Sequence, residues 1–128
     1  MSIPKINQSE YRFLEILWDH EPLSSAELVR LCLQELEWKK STTYTVIRRL
    51  SDRGVVKSEN TIVRSLISRE EAREAQSMDL VDGRFAGSLP GFIATFIKSR
   101  SLSDREIEEI QEILDQYRKR IPPQGPER

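Results

Sequence analysis

Apolar residues recur at three- and four-residue intervals through the first fifty positions, give way to short β-branched runs, and then return to helical spacing. Tyr11, Leu14, Leu17 and Trp18 form one stripe, Ala26, Leu28, Leu31 and Cys32 a second, and Thr43, Val46, Ile47 and Leu50 a third. Each predicts an amphipathic helix with one buried face. Their ends are marked as well. Asn7 with Glu10 and Ser24 with Glu27 have capping-box spacing, in which a short polar side chain caps the third amide and a glutamate reaches back. The first helix should stop near Asp19 or His20, ahead of Glu21-Pro22, and the second should run from about Ser25 to Glu35. A turn through Glu37 and Trp38 leads to a third, from about Lys40 to Arg53, closed by Gly54.

The period then changes to that of strands. Residues 55–59 and 61–67 are rich in valine, isoleucine and threonine, with turn-favouring Asn60 between them, and predict a small hairpin. Three helices and a hairpin make a winged helix-turn-helix. Two more capping pairs follow, Ser68 with Glu71 and Ser103 with Glu106. The stretch from Arg69 to about Val81 carries only sparse anchors (Ala72, Ala75, Met78, Leu80, Val81), and glycine and proline at 83, 87, 90 and 91 predict a break. Leu89 to Ile97 is the most apolar run of this half, and Ile107, Ile110, Leu114, Tyr117 and Ile121 repeat every three or four residues like a heptad seam. So few anchors cannot close a core of their own, so burial against a second copy is expected. The chain therefore reads as mainly α with a small β-hairpin. A winged-helix DNA-binding domain spans 1–68, an α-helical dimerisation arm 69–121, and a disordered tail 122–128.

Charge sharpens one segment. The chain has 20 basic and 21 acidic residues, a formal net charge of -1, yet residues 38–57 hold six basic side chains against the single acid Asp52. Local positive charge of this kind points to a polyanion. Opposite the buried stripe of the third helix lie Ser41, Thr42, Tyr44, Thr45 and Arg48, expected to read base edges: hydroxyls bond either strand, threonine methyls meet the thymine methyl, and arginine forks onto guanine. Lys39, Lys40, Arg49, Arg53, Lys57 and Arg64 are expected on phosphates, where they add affinity without sequence information.

Other chemistry is not signalled. Cys32 sits in an apolar pattern and reads as a small core residue, and His20 falls at a helix end, where a cation is favourable. There is no phosphate-cradling glycine loop, no metal-spaced Cys/His cluster and no nucleophile elbow, so neither enzyme activity, metal nor cofactor is expected. Apolar runs are too short to insert into a membrane and the N-terminus lacks a signal-peptide hydrophobic region, so a cytoplasmic location is expected.

The residues from Ser9 to Trp18, Ser24-Ser-Ala-Glu-Leu28, Trp38, Ser41-Thr-Thr-Tyr-Thr-Val-Ile-Arg-Arg-Leu50, Arg53-Gly54 and Leu102-Ser-Asp-Arg-Glu-Ile-Glu-Glu-Ile110 resemble, in that order, the bacterial penicillinase and methicillin-resistance repressor family. The resemblance covers about residues 7–117. It implies a homodimeric winged-helix repressor on a palindromic operator before antibiotic-response genes; the apolar pattern puts Phe92, Phe96, Ile107, Ile110, Leu114, Tyr117 and Ile121 at the expected dimer interface. It also implies release through a membrane-bound sensor-protease pathway, by a cut in the helical arm. The family's asparagine-phenylalanine cleavage pair falls here on Thr95-Phe96, with only the phenylalanine retained. The chain also departs from the family at Lys40, where proline is common, and at Tyr44, where a basic residue is common. Two other readings fit the same residues: a repressor released by a small molecule bound near Phe92 and Phe96, and a winged-helix module whose third helix meets a protein.

Overall fold

The computed structural model describes residues 3–120. It is mostly helical, with one small antiparallel sheet, in the order α1 (Gln8–His20), β1 (Leu23–Ser24), α2 (Ser25–Leu36), α3 (Lys40–Asp52), β2 (Val56–Glu59), β3 (Ile62–Ser65), α4 (Arg69–Arg84), α5 (Leu89–Ser99) and α6 (Asp104–Arg120). Ile121 and the segment 122–128, expected as seam and tail, lie outside the described residues. The chain divides into two compact units, Met1–Gly83 and Arg84–Arg128. That division falls inside α4, whereas the sequence pattern suggests a boundary at its start.

The first unit has a core of its own. Phe13, Leu14 and Leu17 of α1, Leu28 and Cys32 of α2, Leu50 of α3, Val55, Val63 and Ala72 are fully buried, and Ile16, Leu31, Val46, Ile47, Val56 and Ile67 complete the cluster. The α3 stripe matches expectation residue for residue. On α1, Tyr11 and Trp18 are only partly buried beside the core, and Phe13 and Ile16 take the inward positions. Ala26, expected in the α2 stripe, is exposed, because it sits in the helix's first turn before the buried face begins at Leu28.

The caps form largely as spaced. Asn7 and Glu10 complete a reciprocal box at α1, and Ser68 with Glu71 and Ser103 with Glu106 exchange the same bonds at α4 and α6. Ser24 caps Glu27 at 3.1 Å, but the Glu27 carboxylate turns outward to Arg30 at 2.9 Å, so this box is half made. At the other end of α2, Glu37 adopts a left-handed conformation (φ 57°) and the Trp38 amide donates to the Cys32 carbonyl. Trp38 then stacks on Phe13 with rings 6.1 Å apart and 6° from parallel. That turn sets the departure of α3.

The hairpin is joined by a third strand. The sheet order is β1-β3-β2, with Leu23 opposite Val63 and Lys57 opposite Arg64. Asn60 (φ 52°) and Thr61 (φ 63°) form the two-residue loop, both at the positive φ that a type I′ hairpin turn requires. The Thr61 carbonyl accepts from the Ser25 amide at 2.8 Å, fastening the loop to the start of α2. At the far end of β3, Glu21 accepts from the Ser65 amide and hydroxyl, and Trp18 Nε1 donates to the Ile67 carbonyl at 3.0 Å.

In α4 the predicted break at Gly83 does not occur; the helix continues to Arg84. The second unit contains α5, capped by Ser88 through the Gly91 amide at 2.9 Å, and α6. None of the described residues of α5 or α6 is buried.

Candidate nucleic-acid interface

The exposed side of α3 follows from its buried side. With Thr43, Val46, Ile47 and Leu50 turned inward, the 100° step of the helix leaves Ser41, Thr42, Tyr44, Thr45, Arg48 and Arg49 outward, and all six are exposed. Serine and threonine present hydroxyls there, and Tyr44, 41% exposed, lies under the Lys40 ammonium at 6.0 Å. A cation held over an aromatic face keeps its charge outward at low cost.

The start of α3 differs from the other described helices. Lys39 occupies the cap position and supplies no side-chain hydrogen bond, and no acid lies in the first turn. Its leading amides are therefore unclaimed by side chains and face solvent beside Lys39 and Lys40. Together they form a positive helix end suited to an anion such as phosphate. The other described helices begin with Asn7, Ser24, Ser68, Ser88 or Ser103 bonded to an amide.

The wing continues this charge. Lys57 on β2 and Arg64 on β3 are exposed and directly opposed in register. Like charges so placed repel and destabilise the bare hairpin, a cost that a bound anion would offset. Lys57 has a loose partner in Glu59 at 3.9 Å. Arg48 and Arg64 have no ion pair among the described residues.

Arg53, expected on phosphates, is engaged within the protein. One terminal nitrogen pairs with the Glu10 carboxylate and the other donates to the Lys5 carbonyl, so its fork is committed inside the protein. Nothing in the local sequence signals this, because Glu10 lies 43 residues away. Arg49, one turn earlier, approaches the same carboxylate at 3.8 Å and stays more than half exposed.

The two residues with reactive potential are structural. Cys32 is fully buried, and burial pushes its thiol up to about 11, with the Thr43 hydroxyl pulling slightly the other way. Such a thiol is neutral at physiological pH. His20 Nδ1 lies 2.9 Å from the Ile16 carbonyl at the end of α1. Among the described residues no group of acids, histidines and cysteines has metal-site geometry, and no helix is long and apolar enough to cross a membrane.

In the second unit, Phe85, Phe92 and Phe96 form a ladder with centroids 5.3 and 6.2 Å apart, and the Arg100 guanidinium stands 5.4 Å from the Phe96 ring. Beside it runs an open groove of about 260 Å³ lined by Phe92, Ile93, Phe96, Ile97, Leu102 and Ile110, with Arg100 and Glu106 at its rim. Phe96, Ile107, Ile110, Leu114 and Tyr117 are all exposed, at 36–55% of their surface. Thr95, also exposed, precedes Phe96 within α5.

The sequence profile of the penicillinase repressor family matches residues 6–116. Among individual relatives, the penicillinase repressor of Bacillus licheniformis is 22% identical over 122 residues, covering 92% of this chain and 95% of the relative. The methicillin resistance regulatory protein MecI of Staphylococcus aureus is 25% identical over 115 residues, covering 87% and 94%. Among solved structures, the Bacillus licheniformis BlaI monomer in complex with the blaP half-operator has a TM-score of 0.49 at 20% identity, covering 55% of this chain and 90% of that one.

Proposed function

The chain belongs to the penicillinase repressor family, whose members are transcriptional repressors and not enzymes, and from that membership we propose that it represses transcription as a homodimer bound to a palindromic operator. The observation that carries the DNA reading is the outward face of α3. Exposed hydroxyls and Arg48 are arrayed behind an uncapped, lysine-flanked helix start. With α3 entering the major groove from its N-terminus, Ser41, Thr42, Tyr44, Thr45 and Arg48 meet base edges. Lys39, Lys40, Arg49, Lys57 and Arg64 then lie on phosphates, and the positive helix end receives one more.

The dimer is proposed from the second unit. A helix pair with Phe96, Ile110, Leu114 and Tyr117 on its surface and no buried residue of its own has an apolar face that water disfavours. A second copy covers Phe92, Phe96, Ile107, Ile110, Leu114 and Tyr117 and sets the two α3 helices about one DNA turn, roughly 34–36 Å, or a multiple of it, apart. Control follows from the same region. Cleavage of the exposed Thr95-Phe96 bond in α5, reached when that helix opens locally, would divide the arm and dissolve the dimer. The regulated genes are those of an antibiotic response, by analogy with the penicillinase and methicillin-resistance relatives.

The test is a footprint on the DNA upstream of the gene. We expect a two-fold symmetric protected region that disappears with Thr45→Ala combined with Arg48→Ala, the arginine alone accounting for about 1–3 kcal/mol of discrimination. Protection unchanged in the double variant would reject the base readers. For release, mass spectrometry of the protein from β-lactam-treated cells should find a new terminus at Phe96. Intact chain during full derepression would reject the cut.

A further inference from the structure

Glu10 is a carboxylate with more to do than close a capping box. It is 2% exposed, takes the Asn7 amide on Oε1 at 3.0 Å, and offers Oε2 to two arginines one turn apart, Arg49 in α3 and Arg53 at its C-cap. Arg53 is drawn in: its guanidinium bonds Glu10 Oε2 and the Lys5 carbonyl, and its Nε approaches the Arg49 carbonyl at 3.5 Å. Arg49 is held at 3.8 Å, too far for a hydrogen bond, with 54% of its side chain exposed against 34% for Arg53. Two like charges at (i, i+4) repel along a helix face, and one buried carboxylate beneath them neutralises one and leaves the other projecting.

Resting on the DNA-binding reading above, we infer that Glu10 is a positioning residue that withdraws Arg53 from the DNA backbone and leaves Arg49 as the phosphate cation of that flank. Glu10 thereby sets how many phosphates α3 neutralises. A buried carboxylate joined to an arginine is costly to leave unpaired, so the partition is stable against competition from a solvated phosphate. The family of basic residues on α3 is thus split by a residue on another helix into one that folds the protein and one that binds.

Counterion release makes the partition countable, since each phosphate contact adds about 0.9 to the slope of log affinity against log salt. The experiment measures binding of the full chain to a labelled duplex carrying its own upstream DNA across a salt series, by fluorescence anisotropy. Arg49→Gln should lower the slope by about one contact per subunit, or about two for a bound dimer. Glu10→Gln, which keeps the capping geometry but frees the Arg53 charge, should raise it by about one contact per subunit. The pair Glu10→Gln with Arg53→Gln, which removes one charge of each sign and leaves no buried ion unpaired, should keep the slope of the unaltered chain. A purely structural Glu10 would lower the thermal midpoint of Glu10→Gln without raising its slope, and that result overturns the inference. So does loss of a full contact in the double variant. Absence of salt-dependent duplex binding by the unaltered chain is a different failure, and it overturns the DNA reading and the inference together.

Discussion

The two units use the same kinds of apolar side chain to opposite ends. In Met1–Gly83, leucine, isoleucine and valine from α1, α2, α3 and the sheet converge until most of the stripe is lost from water. In the second unit, α5 and α6 carry isoleucine, leucine and phenylalanine at equally regular spacing, and every described residue there keeps a share of its surface in solvent. Periodicity thus predicts a helix face in both. What it cannot say is whether the chain itself supplies the opposing face. Three helices and a cross-strand sheet can surround a point; two helices can only present a surface.

The comparison breaks most severely if the second unit proves self-sufficient. Ile110→Asp with Leu114→Asp should convert the protein to monomers at micromolar concentration in sedimentation, because closing the seam would bury two charges. A persistent dimer would move the interface elsewhere. The counterpart in the first unit is Leu50→Ala, fully buried in the native chain, which should cost about 2–5 kcal/mol in denaturant unfolding while leaving subunit association unchanged. If it weakened association instead, the two cores would not be independent. A smaller effect is expected at a helix start. Ser103→Ala removes the hydroxyl that accepts from the Glu106 amide at 3.1 Å, and should cost about 1 kcal/mol of α6, read as reduced helicity and weaker dimerisation. The last effect is read as a pH dependence and belongs to Cys32. With its folded thiol pushed to about 11 and the unfolded one near 8.5, the stability it contributes is complete below pH 8.5 and is lost as pH rises towards 11. Cys32→Ala should flatten that alkaline decline, and thiol alkylation of the native protein at pH 8 should be far slower than of the unfolded chain.

How legible each region was in the sequence follows from the range of its interactions. Helix starts at Asn7, Ser68 and Ser103 are decided within four residues, and the α3 stripe within one helical repeat, so pattern alone places them. The strand Leu23–Ser24 has two residues and no period; it exists only because Val63 and Ile62 arrive beside it. Arg53 reads as one more surface cation until Glu10, 43 residues away, is placed beneath it. The same holds for Arg69, whose guanidinium pairs with Asp19 at 2.7 Å and covers the Trp18 ring at 5.5 Å, and which looks like an ordinary first-turn residue of α4. Within the candidate interface, exposure of Ser41, Thr42, Tyr44, Thr45 and Arg48 was readable from periodicity, and the allocation of the arginines was not.

The strand order has a consequence in time. Because β3 lies between β1 and β2, the sheet cannot close until residues near Val63 have followed Leu23 out of the ribosome by some forty positions. By then α1, α2 and α3 have all emerged, while α5 and α6 have not. The buried cluster ends at Ala72, so the nascent chain holds everything its first core requires before the exposed apolar faces of α5 and α6 emerge. Vectorial synthesis therefore orders the two units: the first has all of its core residues in hand before the second emerges.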